Sequence, residues 1–450
     1  MTNRNPVPPS AMRLFAFVIN LLCCATLSAQ IAPRVERSRI HGIDTLLLRT
    51  DIADVVTVRA SLPAGDVAAK DGNLAIATLV GAMLDQGTTS QNKFEIAEQL
   101  EAVGATITFA VDHDTLRIGA KCLRQDLPLV ISLVAEQLRT PAFDPDEFAR
   151  VKARLAGSFQ RQLESTDARA RETFIRAVYP ENHPNYAPSL RDFLAALPEA
   201  TVEEAKQFHV THYGPQHMTL VIVGDVDVNA ARQAIDRSFS GWSGGSPAVI
   251  ARKRAAPPGE KERVQTVSLA DKPSVSIVWG QSTGLRFTDP DALPLRVATA
   301  VFGSGFNGRL LATIRDREGL TYGIGAAMAN DTFNDGDWYI AGTFAPELLE
   351  RGLTSTRREL QKWYQEGVTA AELEARKSNL AGTFQLQLAT TEGLATTLLR
   401  TVNRGLPVSW IDEYPTLIQA VTLDAANGAI RRYLNPDQMT LVRAGTLPQD

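Results

Sequence analysis

Cysteine and histidine are scarce in this chain: its 450 residues include 3 of the first and 6 of the second. Cys23 and Cys24 fall in an apolar amino-terminal run, which leaves Cys122 alone beyond it. One cysteine excludes an intrachain disulfide, and a core of this size does not need one. A basic excess is missing as well. The 46 Lys and Arg face 50 Asp and Glu, for a net charge of −4, so a nucleic-acid partner has no electrostatic support. After residue 27 no run reaches the roughly 18 consecutive apolar residues of a membrane-spanning helix, and that part is expected to be soluble. Apolar residues at 44% and charged residues at 21% exclude a disordered or fibrous chain.

The amino end reads as a targeting segment. Arg13 precedes the run LFAFVINLLCCATL at 14–27, in which Asn20 is the clearly polar side chain. That length is short for a spanning helix and suits the core of a secretory signal, with a membrane anchor as the alternative. Cleavage after Ala29 would remove residues 1–29, and Met12 could be the true start. A lipoprotein reading of Cys23 fails because Leu21 and Leu22 are not small. The mature chain would hold 44 basic against 50 acidic residues and would be exported, to the periplasm or outside the cell.

The chain also repeats itself. LAGSFQRQLEST at 155–166 returns as LAGTFQLQLATT at 380–391, with eight of twelve positions identical. PQHMTLVIVGDV at 215–226 returns as PDQMTLVRAGTL at 436–447, with six of twelve. The offsets, 225 and 221, are too long for a solenoid and indicate a duplicated domain. The stretch 240–262, rich in Gly, Pro and charge, has linker composition. The expected halves are 35–240 and 262–450, joined by a linker at 241–261.

Within the first half, 45–48, 55–61, 106–110, 115–120 and 218–223 read as strands. Residues 74–84, 94–102, 127–138, 147–163 and 202–208 read as helices, with Asp144-Pro145 marking the start of the fourth. In the second half 275–279, 337–344 and 439–442 read as strands. Paired strands and paired helices favour an α+β fold, with a mostly antiparallel sheet and packed helices in each of the two duplicated domains.

GAMLDQGTT at 81–89, HYGPQHMTLVIVGDVD at 212–227 and IRDREGLTYGI at 314–324 resemble the pitrilysin/insulinase-like metallopeptidases, which include the mitochondrial processing peptidases and their bacterial relatives. The resemblance spans the whole mature chain. Active members carry H-x-x-E-H on the first helix, where the histidines bind zinc and the glutamate is the general base. Counting back from Gly87-Thr88, that motif falls on Thr78, Leu79, Val80, Gly81 and Ala82, so neither histidine nor the base is present. A third ligand, a glutamate some 75–80 residues on in the family, is missing too, since no acidic residue lies between Glu147 and Glu164. No H-x-x-E-H, H-E-x-x-H or H-x-H occurs anywhere. No metal ligand and no catalytic residue is therefore assigned in this chain alone.

The remaining histidines do not replace the motif. His209 and His212 have H-x-x-H spacing, which fits half a metal site or, more simply, the end of a helix before a strand. His41, His113, His183 and His217 lie outside any ligand spacing, and His183, before a proline, is expected in a loop.

The family's R-x-x-x-G-L-x-Y pattern is present as Arg315 to Tyr322. The resemblance implies that these two residues bind substrate, reaching toward a zinc site to hold the peptide carbonyl and its oxyanion. Arg317 should point elsewhere and be solvated. FGSGFNG at 302–308 is a flexible or tightly turned loop, and without a G-K-[ST] it is no phosphate loop. In non-catalytic family subunits such a loop is thought to contact substrate.

A chain with the Arg/Tyr pair and no zinc motif looks like half of a two-chain enzyme. It would need no cofactor itself. Its partner would be a homologous zinc peptidase subunit bearing H-x-x-E-H, and together they would cleave short unfolded peptides, held as a strand added to a sheet edge. The alternative is a catalytically inert binding or scaffold protein of the same fold. A free-standing enzyme using other residues has no motif to support it.

Overall fold

A computed structural model describes residues 30–245 and 261–447. The signal peptide expected at 1–29 and most of the expected linker lie outside these residues.

The first half begins with β1 (Glu36–Ile40), β2 (Ile43–Arg49) and β3 (Val55–Leu62), then α1 (Ile76–Met83) and α2 (Lys93–Ala102). It continues through β4 (Thr106–Val111), β5 (Leu116–Leu123), α3 (Leu127–Arg139), α4 (Pro145–Leu163), α5 (Thr166–Val178), α6 (Leu190–Ala196) and α7 (Val202–His212), and closes with β6 (Thr219–Gly224) and α8 (Val228–Phe239). The second half runs β7 (Arg263–Ser268), β8 (Val275–Ser282), α9 (Ala292–Gly303), β9 (Gly323–Ala329) and β10 (Asp337–Phe344). It ends with α10 (Leu349–Glu366), α11 (Ala370–Leu388), α12 (Thr391–Asn403), α13 (Trp410–Gln419), α14 (Leu423–Tyr433) and β11 (Thr440–Gly445).

The strands form two sheets, ordered β1-β2-β6-β3-β5-β4 and β7-β11-β8-β10-β9. Only the β2–β6 and β7–β11 pairs are parallel. The fold is thus α+β with two mostly antiparallel sheets, as the sequence implied. Helix starts follow local chemistry. Asp144 accepts from the amides of Asp146 and Glu147 at 2.9 and 3.0 Å, with Pro145 inside the first turn. Asn92 and Glu95, Ser189 and Asp192, Thr201 and Glu204, and Thr369 and Glu372 make capping boxes.

The duplicated motif explains how the two sheets are joined. Each copy runs along a long helix, α4 or α11, and ends on the first residue of the next, Thr166 of α5 or Thr391 of α12. Both of those next helices cross over. α5 packs on β8 and β11 of the second sheet, and α12 packs on β3 and β6 of the first. One shared core therefore joins Leu46, Leu48, Val221 and Val223 to Phe384, Leu394 and Leu398. Another joins Phe174 and Tyr179 to Val278 and Val442.

The crossing contacts are reciprocal. The Thr57 and Thr391 hydroxyls lie 2.9 Å apart, and those of Thr166 and Ser276 lie 2.8 Å apart. Asp337 on β10, fully buried, accepts from Arg171 of α5 and from Tyr179 directly after it, each at 3.0 Å.

Candidate functional site

Helix α1 carries the positions where an active relative would hold zinc. Thr78 donates its hydroxyl to Asp66 at 2.8 Å. Gly81, where the base would stand, is buried against β4: a Cβ there would meet Val111 Cγ2 at 2.3 Å. The side chain of Val111 fills the space that a glutamate would need. Glu147, at the start of α4, is held by Lys93 at 2.7 Å and Arg150 at 2.5 Å. Glu164 pairs with Lys272 at 2.7 Å. These residues do not fit a zinc ion, and among the described residues no group of three His, Cys, Asp or Glu is placed to hold a metal.

His209 does not serve as half of a metal site either. Its Nε2 bonds the Leu138 carbonyl oxygen at 2.7 Å, and its ring packs on Phe143 and Tyr213. Burial pushes its pKa down, so it is a neutral packing residue of the α7 end. His212 lies against Phe208, 4.4 Å between ring centres. His183, in a turn as expected, is buried and stacks on Tyr179 at 4.7 Å.

The Arg315–Tyr322 segment is built differently. Leu311–Arg317 is a π-helical turn, a form often found at functional sites. It ends at Gly319, whose φ of +65° lets the Leu320 amide reach back to the Ile314 carbonyl at 2.8 Å. Leu320 is then buried in the second core, Thr321 is buried beside it, and Tyr322 is turned outward just before β9. The motif thus has a mechanical reading: glycine turns the chain, leucine anchors it, and tyrosine is presented. Tyr322 is 97% exposed. The Arg315 side chain is 40% exposed, with Nε 3.9 Å from Asp316. Arg317 is exposed, as anticipated, but folds back onto the Ala312 carbonyl at 3.3 Å and onto Thr313.

The glycine-rich loop lies beside this segment. Phe302 anchors its start in a stack with Trp363 at 4.6 Å. Gly303 passes so close to β9 that a Cβ would sit 2.3 Å from the Ala326 amide nitrogen. The loop is therefore tightly turned. Its far end is fixed by Arg309, which grips Glu372 at 2.6 and 2.5 Å. That bond, with the cap at Thr369, holds the Glu372 carboxyl down at about 2. Between these anchors Phe306 is 77% exposed, and the Arg315 guanidinium stands 5.9 Å from its ring centre.

The structure brings together Arg315 and Phe306, an aromatic neighbour that the sequence reading did not single out. Glycines on both sides of an apolar residue were the available signal. Arg315 and Tyr322 occupy the two ends of one turn and make no bond to each other. The face they form is cationic, aromatic and open, suited to holding a carbonyl oxygen or an extended chain.

Comparison with known proteins agrees with this geometry. Residues 45–185 match the family model described as insulinase (peptidase family M16), and residues 199–380 match the one described as the peptidase M16 inactive domain. An uncharacterized zinc protease of Mycobacterium tuberculosis is 24% identical over 372 residues, covering 80% of this chain and 82% of its own. A non-peptidase homolog of Helicobacter pylori is 19% identical over 381 residues, covering 84% and 86%. The crystal structure of a peptidase M16 inactive domain from Pseudomonas fluorescens superposes with a TM-score of 0.83 at 23% identity, covering 92% of this chain and 98% of that one. With two models of the family matched in order between residues 45 and 380 and the fold shared, the chain belongs to the insulinase-like peptidase family M16.

Proposed function

We propose that this chain is the non-catalytic subunit of an exported, two-chain zinc metallopeptidase. It binds short unfolded peptides and supplies Arg315 and Tyr322 to the zinc site of a homologous, H-x-x-E-H-bearing partner. One contrast carries the reading: the zinc and base positions are packed shut by Val111 and Asp66, while Arg315 and Tyr322 are presented to solvent. Such exposure has no packing value, and a fully exposed tyrosine beside an arginine suits a role completed by another surface.

In that role the guanidinium would hold the peptide carbonyl and the phenol would donate to the oxyanion, while a zinc ion held by the partner would supply Lewis-acid activation of water. Phe306 and the fixed glycine-rich loop flank the peptide. The partner supplies zinc, base and bond cleavage. The test is reconstitution. The mature chain alone should be inert and free of zinc, and mixing it with an H-x-x-E-H homologue encoded nearby should give peptidase activity. A second reading, an inert binding protein, is favoured by the non-peptidase relative in Helicobacter pylori, and absence of association in that experiment would select it.

A further inference from the structure

Away from the Arg315–Tyr322 face, Arg296 and Arg404 meet on one aromatic ring, and Arg400 stands one helical turn before Arg404. Arg296 lies early in α9, Arg400 in the last turn of α12, and Arg404 directly after α12. Phe287, in the loop before α9, carries two of them. The Arg404 guanidinium is 3.4 Å from its ring centre, and that of Arg296 is 4.7 Å away. Asp331, buried in the β9–β10 turn, pairs with Arg296. It is the one carboxylate bonded to any of the three among the described residues. The neighbouring Tyr414 phenol, pushed above its ordinary range by burial, adds no negative charge. Three cations against one anion leave the cluster two positive charges in excess.

Stacking does not account for this arrangement. A cation over a ring face contributes about 0.5–2 kcal/mol, but the repulsion between two cations that share one ring opposes it. Burial and the neighbouring arginines push Arg404 down to about 9. The Nε atoms of Arg296 and Arg404 are both buried, and neither has an acceptor. Arg400 is exposed, so the cluster opens to solvent on that side. Unbalanced charge, orphaned guanidinium donors and a solvent opening form what a planar or tetrahedral oxyanion requires, because the guanidinium fork matches carboxylate and phosphate oxygens.

We propose that Arg296, Arg400 and Arg404 form a binding site for a small oxyanion, either a peptide carboxylate or free inorganic phosphate. The site does not depend on the role given to Arg315 and Tyr322.

The test is thermal unfolding of the mature chain at constant pH and ionic strength. In one arm chloride is exchanged for phosphate; in the other, for N-acetylalanine, with N-acetylalanine amide as its uncharged control. The expected result is a saturable rise in melting temperature of about 2–4 °C in at least one arm and none with the amide. Which arm responds identifies the source. Arg404→Gln should weaken the response at least tenfold. The exposed Arg400→Gln serves the same purpose if Arg404→Gln does not fold, and Arg351→Gln on α10 should leave the response intact. Absence of any saturable shift beyond chloride would overturn the proposal. So would Arg400→Gln and Arg404→Gln variants that titrate like the natural chain.

Discussion

Gly319 is the hinge on which Tyr322 is presented, and replacing it with alanine isolates that role. Its φ is +65°, and a Cβ built there meets nothing within 4 Å. The substitution therefore adds backbone strain without a clash. The left-handed conformation costs a non-glycine residue about 1–2 kcal/mol, and the stiffer unfolded chain returns about 0.4–1 kcal/mol. Gly319→Ala should then destabilise by roughly 0.8 kcal/mol, and by no more than about 1.6 kcal/mol. Gly382 is the matched control. It is exposed on α11, has ordinary helical geometry, and also has nothing within 4 Å of a built Cβ. Gly382→Ala should stabilise by up to about 1 kcal/mol through helix propensity. Urea unfolding with unchanged m-values reads both. Opposite signs are expected. If Gly319→Ala stabilised like Gly382→Ala, the turn would not be the strained element described here, and the account of how Tyr322 is aimed would fail.

Other perturbations follow from the same structure. The triple change Thr78→His, Gly81→Glu, Ala82→His restores the family motif in sequence, yet should neither bind stoichiometric zinc nor keep its melting temperature, because Val111 occupies the glutamate's space; metal analysis and calorimetry would show it, and full zinc loading at unchanged stability would contradict it. Asp337→Ala should cost about 3 kcal/mol in chemical denaturation, since it leaves the partly buried Arg171 and the buried Tyr179 hydroxyl without their carboxylate; a loss under about 1 kcal/mol would mean the crossing helix α5 is held by packing alone. Burial raises the Asp66 carboxyl from 3.8 to about 6. In the folded chain it holds its proton longer than in the unfolded one, so this stabilising contribution is full below pH 3.8 and is lost as pH rises through about 6. Asp66→Asn should flatten that part of the stability–pH curve, and an unchanged profile would refute the assignment.

The sequence revealed most strands and five helices of the first half because their signals are local, while the helices of the second half were not read individually. Asp144-Pro145 fixes the start of α4, whereas the turn at Gly319-Leu320 and the strand β9 after it were not read from the sequence. The strand β1 was not identified: its residues ERSRI are polar because the strand lies at a sheet edge, largely exposed. The repeat at 155–166 and 380–391 was readable as duplication, but not as a crossover. Which sheet α5 or α12 covers is decided by long-range packing, and nothing near Thr166 or Thr391 encodes it. The loss of the zinc motif was visible in Thr78, Gly81 and Ala82. That Val111 closes the space could not be seen, because the contact joins a helix to a strand some thirty residues away. The Arg296–Arg404 cluster escaped for the same reason, since about a hundred residues separate its members.

The central claim is that Arg315 and Tyr322 act outward, on a partner's zinc site, and do not support this chain's own fold. The most direct measurement compares Arg315→Ala and Tyr322→Phe with the natural chain, both for unfolding free energy alone and for peptidase activity when mixed with the H-x-x-E-H homologue. With Tyr322 almost fully exposed, stability should stay within about 0.5 kcal/mol, while kcat/KM of the mixture should fall about 100- to 1000-fold, as for loss of an oxyanion donor. Unchanged activity in a productive mixture would contradict the account.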